Sequence, residues 1–185
     1  MAEAAAHPAD KQLLEGCVAR DPDAVRQLLD AVAPIVYGFL YARVGGDQAV
    51  AEDLLQETLL EAVRSAAGYR GDAALSTWMC AIAKRRLARH YDLERRQERA
   101  RSGLAVVGEE GVDDLSEPVE RHDRVIRALG RLSSLHRQVL VLKYLDERTV
   151  EEIATEVGRS RVQVQSLLQR ARDALRRQME EGADD

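Results

Sequence analysis

The sequence predicts an all-α protein made of two small helical domains. Ala, Leu and Arg are abundant whereas aromatic residues contribute 4% of the chain, and unbranched side chains lose little rotamer freedom in a helix. Apolar residues recur every three or four positions in segments such as LLQETLLEAV (54–63), which is the period of one helix face. Residues that start helices precede several of these segments.

The N-terminal domain is predicted over residues 10–101. Asp21-Pro22 is typical of a helix N-cap followed by the first helical position, and this helix is expected to run to Arg43 and stop at Gly45-Gly46. Asp47 is expected to cap the next helix. The segment GYRGDAA (68–74) then breaks the period, and Ser76 or Thr77 is expected to cap a long third helix.

A flexible acidic linker is predicted over residues 102–120. The segment SGLAVVGEEGVDDLSEP (102–118) combines glycines and a proline with no apolar period, which is typical of a loop. Residues 104–120 carry six anions and no cation. The linker therefore separates two domains.

The C-terminal domain, predicted over residues 121–179, contains a helix-turn-helix. LSSLHRQVLVLKYL (132–145) is an apolar helix, with Ser133 or Ser134 as its cap. Thr149 with Glu152 forms a capping box for VEEIATEV (150–157), and Ser160 with Gln163 forms a second one for the last helix. Gly158 between them permits the left-handed turn that ends a helix.

The last helix carries two stripes. Its apolar face comprises Val164, Leu168, Ala171 and Leu175, and its polar stripe comprises Arg161, Gln165, Gln169, Arg172 and Arg176. Arg pairs with guanine and Gln with adenine through two hydrogen bonds, each worth about 1–3 kcal/mol of discrimination. The stripe favours a helix that reads a DNA groove; the alternative is a solvated helix face.

The net charge of −5 conceals charged blocks. Residues 81–103 carry eight cations against three anions, directly behind the chain's single tryptophan, Trp78. This pattern is typical of a nucleic-acid contact, in which cations hold phosphates and a ring stacks on a base. The alternative for Trp78 is core packing beside Ile82.

Other classes of protein are not indicated. No segment approaches the roughly 18 apolar residues that span a bilayer, and the first ten residues lack the regions of a secretory signal. Cys17 and Cys80 are isolated and expected to be small buried hydrophobes, and the histidines have no ligand spacing. We expect a cytoplasmic protein that is not an enzyme, with no metal, no cofactor and no membrane insertion.

With these segments in place, the chain resembles a bacterial RNA polymerase sigma factor of the extracytoplasmic-function (ECF) type. DQAVAEDLLQETLLEAV (47–63) and YRGDAALSTWMCAIAKRRLARHY (69–91) resemble the family's region 2, which docks on polymerase and melts promoters. LSSLHRQVLVLKYLDERTVEEIATEVGRSRVQVQSLLQRARDALR (132–176) resembles its region 4. The resemblance covers most of residues 10–178.

The resemblance implies three sets of contact residues. Contacts with the β′ clamp of core RNA polymerase are Asp47, Glu52, Asp53, Gln56 and Glu57. Contacts with the −10 element are Arg70, Gly71, Asp72, Ser76, Thr77, Trp78, Lys84, Arg85, Arg86 and Arg89, with the loop 70–75 receiving a flipped base. Contacts with the −35 element are Arg159, Ser160, Arg161, Gln163, Gln165, Ser166, Gln169, Arg170 and Arg172. It also implies docking on the β flap and inhibition by an anti-sigma factor.

Two features leave alternatives open. Asp53, Glu57 and Glu61 repeat at i, i+4, where like charges cost an isolated helix about 0.2–0.5 kcal/mol per pair; a basic partner surface compensates such a stripe, and a solvated acidic face is the alternative. Gln165 and Leu167 stand where the family often has cations, which puts the strength of −35 binding in doubt. Leu167 borders the apolar face and serves either a domain contact or an anti-sigma surface.

Two other classes of function compete. A free-standing helix-turn-helix regulator would explain residues 133–178 and would bind as a dimer to two half-sites. A sigma-like module that titrates an anti-sigma protein without touching DNA would explain the missing cations of the last helix. The basic residues at 84–89 argue against the second.

Overall fold

The computed structural model describes residues 7–101 and 117–181. Across those two stretches the secondary structure is helical, with no strand, as the sequence predicted. The helices are α1 (Pro8–Val18), α2 (Pro22–Ala31), α3 (Ala33–Arg43), α4 (Gln48–Arg64), α5 (Leu75–Arg101), α6 (Glu117–Gly130), α7 (Ser134–Leu140), α8 (Val150–Val157) and α9 (Arg161–Glu181). The predicted linker lies outside the described residues up to residue 116, and α6 begins at Glu117.

The chain forms two compact units. Unit 1 contains the described residues up to Ala42 together with Gln48–Arg89, and unit 2 contains Arg43–Asp47 and the described residues from His90 onward. In unit 1, α1 packs on α2 and α4. Its fully buried side chains include Leu14, Leu40, Leu75, Met79 and Ile82. These residues come from α1, α3 and α5, so the core fixes where α5 begins.

The single helix predicted from residue 22 to Arg43 is wrong, because two helices occupy this stretch. Pro34 is the cause: it has no backbone N–H, and its ring would clash with the carbonyl of residue 30 in a continuous helix. Val32 ends α2 with its N–H donating to the Leu28 carbonyl at 3.0 Å. Pro34 then lies in the first turn of α3, where proline is tolerated.

The start of α5 also differs from the prediction. The helix begins at Leu75, so Ser76 and Thr77 lie inside its first turn and neither is the cap. The Leu75 N–H donates instead to a carboxylate oxygen of Asp10 at 2.8 Å. A side chain 65 positions earlier in the chain therefore satisfies a backbone donor at this helix N-terminus.

Unit 2 is built around the helix-turn-helix of α8 and α9. Its buried cluster includes Leu129 and Leu132 before α7, Val139 in α7, Ile153 in α8 and Val164 in α9. Gly158 adopts φ +65°, the left-handed turn that the sequence predicted, and the Arg159 N–H donates to the Ala154 carbonyl.

The predicted helix 132–145 is α-helical only from Ser134 to Leu140. One π turn follows over Val141–Leu145, in which the Asp146 N–H donates to the Val141 carbonyl at 3.0 Å. Ser133 is the N-cap residue, but its side chain makes no capping hydrogen bond. A carboxylate oxygen of Glu98 accepts from the Ser134 N–H at 2.9 Å instead. As at α5, a distant acid caps the helix.

The capping box of α8 is confirmed and allows a direct test. Thr149 Oγ1 accepts from the Glu152 N–H at 3.2 Å, and Glu152 accepts in return from the Thr149 N–H at 2.8 Å and from its hydroxyl at 3.0 Å. We expect Thr149→Ala to lower the free energy of unfolding by about 1 kcal/mol. The backbone and hydroxyl donors of Thr149 lower the pKa of Glu152, so losing the hydroxyl should raise that pKa toward its ordinary value. Denaturation and an NMR titration measure the two effects.

Thr155→Ala is the matched control for that substitution. Thr155 lies within α8, and its hydroxyl donates only to the Glu151 carbonyl one turn earlier, at 3.1 Å. Threonine is a weaker helix former than alanine at such a position. Thr155→Ala should therefore leave stability unchanged or raise it slightly, and an equal loss in both variants would contradict the importance of the capping box.

Candidate nucleic-acid interface

The basic face of α5 is exposed in unit 1. Lys84, Arg85 and Arg89 are all exposed, and the ammonium group of Lys84 lies 5.8 Å from the centre of the Phe39 ring. Exposed cations at this spacing project from neighbouring turns of one helix. They form a surface, here called the basic face, that suits a polyanionic backbone.

Arg86 differs from these three neighbours. Its guanidinium donates to Glu57 at 3.3 Å and to Glu61 at 3.0 Å, both on α4, and its side chain is only 21% exposed. The i, i+4 acidic repeat of α4 is therefore compensated in part within the chain itself. Arg86 connects the acidic helix to the basic helix.

This double ion pair predicts a selective loss of stability. We expect Arg86→Gln to lower the free energy of unfolding by about 0.5–1 kcal/mol, because Glu57 and Glu61 then repel without compensation. The loss should shrink at high salt, where repulsion between partly exposed charges is screened. Denaturant unfolding at two salt concentrations measures both. Arg85→Gln is the control; a loss as large in the control would show a general effect of charge.

The acidic face of α4 presents the residues that the resemblance assigns to polymerase. Glu52, Asp53, Gln56 and Glu57 are exposed along one helix, and Asp47 is exposed just before it. Gln48 donates to Glu52 at 2.8 Å, which holds that carboxylate near the start of the helix. Leu60 is 57% exposed one turn beyond Gln56 and adds apolar area to the same helix. The face combines carboxylates with an apolar side chain.

The loop between α4 and α5 lies against an aromatic pair. The rings of Tyr69 and Trp78 are 5.2 Å apart, and Trp78 is half-buried rather than a core residue. Arg70 and Asp72 form an exposed ion pair at 2.7 Å, and Gly71 adopts φ +80°, a conformation that favours glycine. Ser76 and Thr77 follow in the first turn of α5. Six of the ten predicted −10 residues therefore lie at the N-terminal end of α5, whereas Lys84, Arg85, Arg86 and Arg89 lie further along the helix.

Asp10 is a contributor that the sequence analysis missed. Its carboxylate accepts from the Leu75 N–H at 2.8 Å and from the Tyr69 hydroxyl at 3.4 Å. Burial, and after it the charge of Asp10, raises the pKa of Tyr69. An acid in the first turn of a helix is an ordinary sequence feature, and nothing in its neighbourhood signals a partner 65 residues away.

The exposed face of α9 carries the predicted groove-reading residues. Gln165, Gln169 and Arg172 are exposed on it, as the helical spacing predicted. Arg172 donates to Gln169 at 2.7 Å and to the Tyr144 hydroxyl at 3.3 Å, which orients its guanidinium beside an exposed phenol. Tyr144 was not singled out from the sequence, because it lies outside α9, in the π turn that follows α7.

The remaining −35 residues lie just before α9 and in its first half. Ser160 and Gln163 form the second capping box, with hydrogen bonds of 2.9 Å and 3.3 Å, as predicted. Arg161 pairs with Glu151 of α8 at 3.0 Å. Arg159, Ser166 and Arg170 are exposed. Ser160 and Gln163 therefore cap the start of the helix, whereas Arg159, Ser166 and Arg170 are available to solvent.

Leu167 takes no part in the exposed face. It is 7% exposed and belongs to the buried cluster of unit 2, together with Val164, Leu168 and Ala171. Leu175, predicted on the same apolar face, is partly buried against the cluster. Leu167 therefore packs in the core of its own unit.

The described residues offer neither a membrane span nor a metal site. Among them, no helix is long and apolar enough to cross a membrane. No group of three or more His, Cys, Asp or Glu side chains within residues 7–101 and 117–181 is placed to hold a metal ion. Cys17 is buried and Cys80 half-buried, and both are free thiols.

Comparison with known proteins identifies the family. The model of sigma-70 region 2 matches residues 28–97, and that of sigma-70 region 4 matches residues 122–175. The ECF RNA polymerase sigma factor SigL of Mycobacterium tuberculosis H37Rv is 31% identical over 175 residues, which is 91% of this chain and 96% of SigL. The ECF RNA polymerase sigma factor BldN of Streptomyces coelicolor is 29% identical over 93% of this chain and 66% of BldN.

A solved structure is also similar. It is the sigma factor RpoE of Bartonella quintana in complex with the anti-sigma factor NepR. The two chains are 22% identical, the match covers 84% of this chain and 96% of that one, and the TM-score is 0.48. Regions 2 and 4 in this order define a transcription initiation factor of the sigma-70 family. The chain belongs to the ECF RNA polymerase sigma factors of that family.

Proposed function

We propose that this sigma factor binds core RNA polymerase through the acidic face of α4 and directs it to promoters through two DNA-binding surfaces. In this proposal residues 10–101 bind the β′ clamp and open the −10 element, and residues 121–179 bind the −35 element and the β flap. The protein acts in the cytoplasm and has no enzymatic activity of its own.

The helix-turn-helix of unit 2 is the observation that carries the proposal. Two capping boxes and a left-handed glycine fix the ends of α8 and the start of α9. The exposed Gln165, Gln169 and Arg172 then project together from one helix whose other face is buried. Such a helix presents bidentate donors and acceptors to base edges in the major groove.

Three exposed surfaces of different character support the division of labour. The acidic face of α4 suits a basic protein partner, because complementary charge steers association. The basic face of α5 suits phosphates, which supply affinity without sequence readout. The half-buried Trp78 and the adjacent loop suit an unstacked base, for which a stacking contact returns about 1–3 kcal/mol. An anti-sigma factor that covers the acidic face would block binding to polymerase and so inhibit the protein.

Reconstituted transcription tests the proposal. Purified protein is mixed with bacterial core RNA polymerase, and the holoenzyme selects sites from a fragmented genomic library. We expect enrichment of sites with two conserved boxes at fixed spacing and transcription from them that requires both components. Palindromic sites bound by the protein alone would indicate a free-standing helix-turn-helix regulator instead. Binding to polymerase without any DNA selection would indicate a module that titrates an inhibitor.

A further inference from the structure

The loop between α4 and α5 is held closed by hydrogen bonds from the start of the chain. The His7 N–H donates to the Gly71 carbonyl at 2.9 Å, and Asp10 accepts from the Leu75 N–H at 2.8 Å. Within the loop, the Tyr69 hydroxyl donates to the Ala73 carbonyl at 2.7 Å. Hydrogen bonds therefore hold the loop at Gly71, at Ala73 and at Leu75, where α5 begins.

The backbone before α1 lies against the loop at ordinary van der Waals distance. A Cβ added at Gly71 would lie 3.4 Å from the carbonyl oxygen of His7 and 3.6 Å from its nitrogen. Tyr69 is 4% exposed, so its hydroxyl reaches Asp10 and Ala73 from a buried ring. The first turn of α1 thus acts as a wall of the loop, although it lies about sixty positions away in sequence.

We propose that Asp10 is a positioning residue for promoter opening, holding loop 70–74 in the shape that receives an unstacked base. Asp10 touches no DNA in this role. It acts through the Leu75 N–H, which fixes where α5 begins, and through its 3.4 Å approach to the Tyr69 hydroxyl, whose proton goes to the Ala73 carbonyl of the loop. The inference rests on the proposed function of this loop.

The physical gain is pre-organisation of the binding site. A flexible loop loses conformational freedom when it closes around a base, and a loop already tied at three points loses less. These hydrogen bonds also limit which bases the loop can receive, because a more flexible loop would adapt its shape to bases other than the preferred one. Asp10 therefore contributes to affinity and to discrimination, and the second contribution is not expected of a residue that only stabilises the fold.

Single-stranded DNA provides the test. The wild-type holoenzyme first selects its −10 sequence from an oligonucleotide pool with randomised positions. Binding of the selected oligonucleotide, and of versions with each single base replaced, is then measured for holoenzymes with Asp10→Ala, Asp10→Asn or Asp23→Ala. Asp23 is the control, an exposed acid of α2 whose side chain pairs with Arg26 at 2.8 Å, on another helix from the loop.

We expect Asp10→Ala to weaken binding of the selected oligonucleotide about fivefold and to reduce the preference for the captured base by a similar factor. Asp10→Asn keeps an oxygen acceptor for the Leu75 N–H and should restore most of the preference. Asp23→Ala should match the wild type. Binding of each variant to core polymerase without DNA is measured alongside and should not change.

Three other results of the oligonucleotide-binding experiment would each contradict one part of the proposal. Unchanged preference in Asp10→Ala, whether or not its affinity or thermal stability falls, leaves Asp10 with a purely structural role and overturns the inference. Equal loss in Asp10→Asn and Asp10→Ala overturns the role of the oxygen acceptor. A wild-type holoenzyme that selects no sequence overturns the proposed function itself, which separates the two failures.

Discussion

Leu167→Arg is expected to destabilise unit 2 by about 3–5 kcal/mol, even though the family resemblance led us to expect a cation there. Leu167 is 7% exposed and packs in the cluster that includes Val164 and Leu168 of the same helix. A guanidinium at this position would lie in an apolar cluster. Chemical denaturation of the full chain, followed by a probe in unit 2, measures the effect.

Two further substitutions separate charge from burial in that experiment. Leu167→Met keeps the volume and the apolar character, so it should cost less than about 1.5 kcal/mol. Gln165→Lys introduces a cation at an exposed position of the same helix. It should leave the free energy of unfolding unchanged. It should also steepen the slope of log K for promoter binding against log salt by the amount that one added phosphate contact contributes. A stable Leu167→Arg variant that binds promoters more tightly would contradict the assignment of Leu167 to the core.

The exposed surfaces could be predicted well from the sequence because they depend on local periodicity. The spacing of Gln165, Gln169 and Arg172 places them on one face of any helix, and they are exposed together on α9. Capping boxes are equally local, since each joins residues three positions apart. The two capping boxes and the left-handed Gly158 were therefore confirmed.

The errors have two physical origins. Pro34 was overlooked as a helix breaker, although proline is a local signal that the sequence displays. The other features depend on contacts between distant residues: Arg86 meets Glu57 and Glu61 on another helix, and Asp10 caps α5. No periodicity within one segment encodes such pairs, because the tertiary fold decides which helices are neighbours.

Leu167 shows the same limit in a single residue. A helical wheel places it at the border of the apolar face, where a side chain is buried or exposed according to the width of the core beneath. The neighbouring helices of unit 2, including α7 and α8, contribute Val139, Leu140 and Ile153 to that core. Their presence makes the cluster wide enough to cover the border position.

The triple substitution Lys84→Ala, Arg85→Ala and Arg89→Ala is expected to weaken promoter binding by the holoenzyme roughly 10- to 100-fold near physiological salt. All three side chains are exposed on the basic face of α5, whereas Arg86 is held by Glu57 and Glu61 and is left unchanged. Each phosphate contact that is lost should also reduce the slope of log K against log salt by about 0.7–0.9. Binding to core polymerase in the absence of DNA should stay at the wild-type level.

The matched control changes the same amount of charge elsewhere. Arg64, Arg131 and Arg177 are exposed arginines outside the proposed DNA-binding sets, and replacing them with alanine alters net charge equally. If net charge alone attracted DNA, both triple variants would lose the same affinity and the same salt dependence. A contact surface predicts that only the basic face variant loses them, because short-range phosphate contacts release counterions whereas distant charges are screened beyond about 8–10 Å. Equal losses would therefore remove the basic face from the DNA-binding surface and leave α9 to supply it.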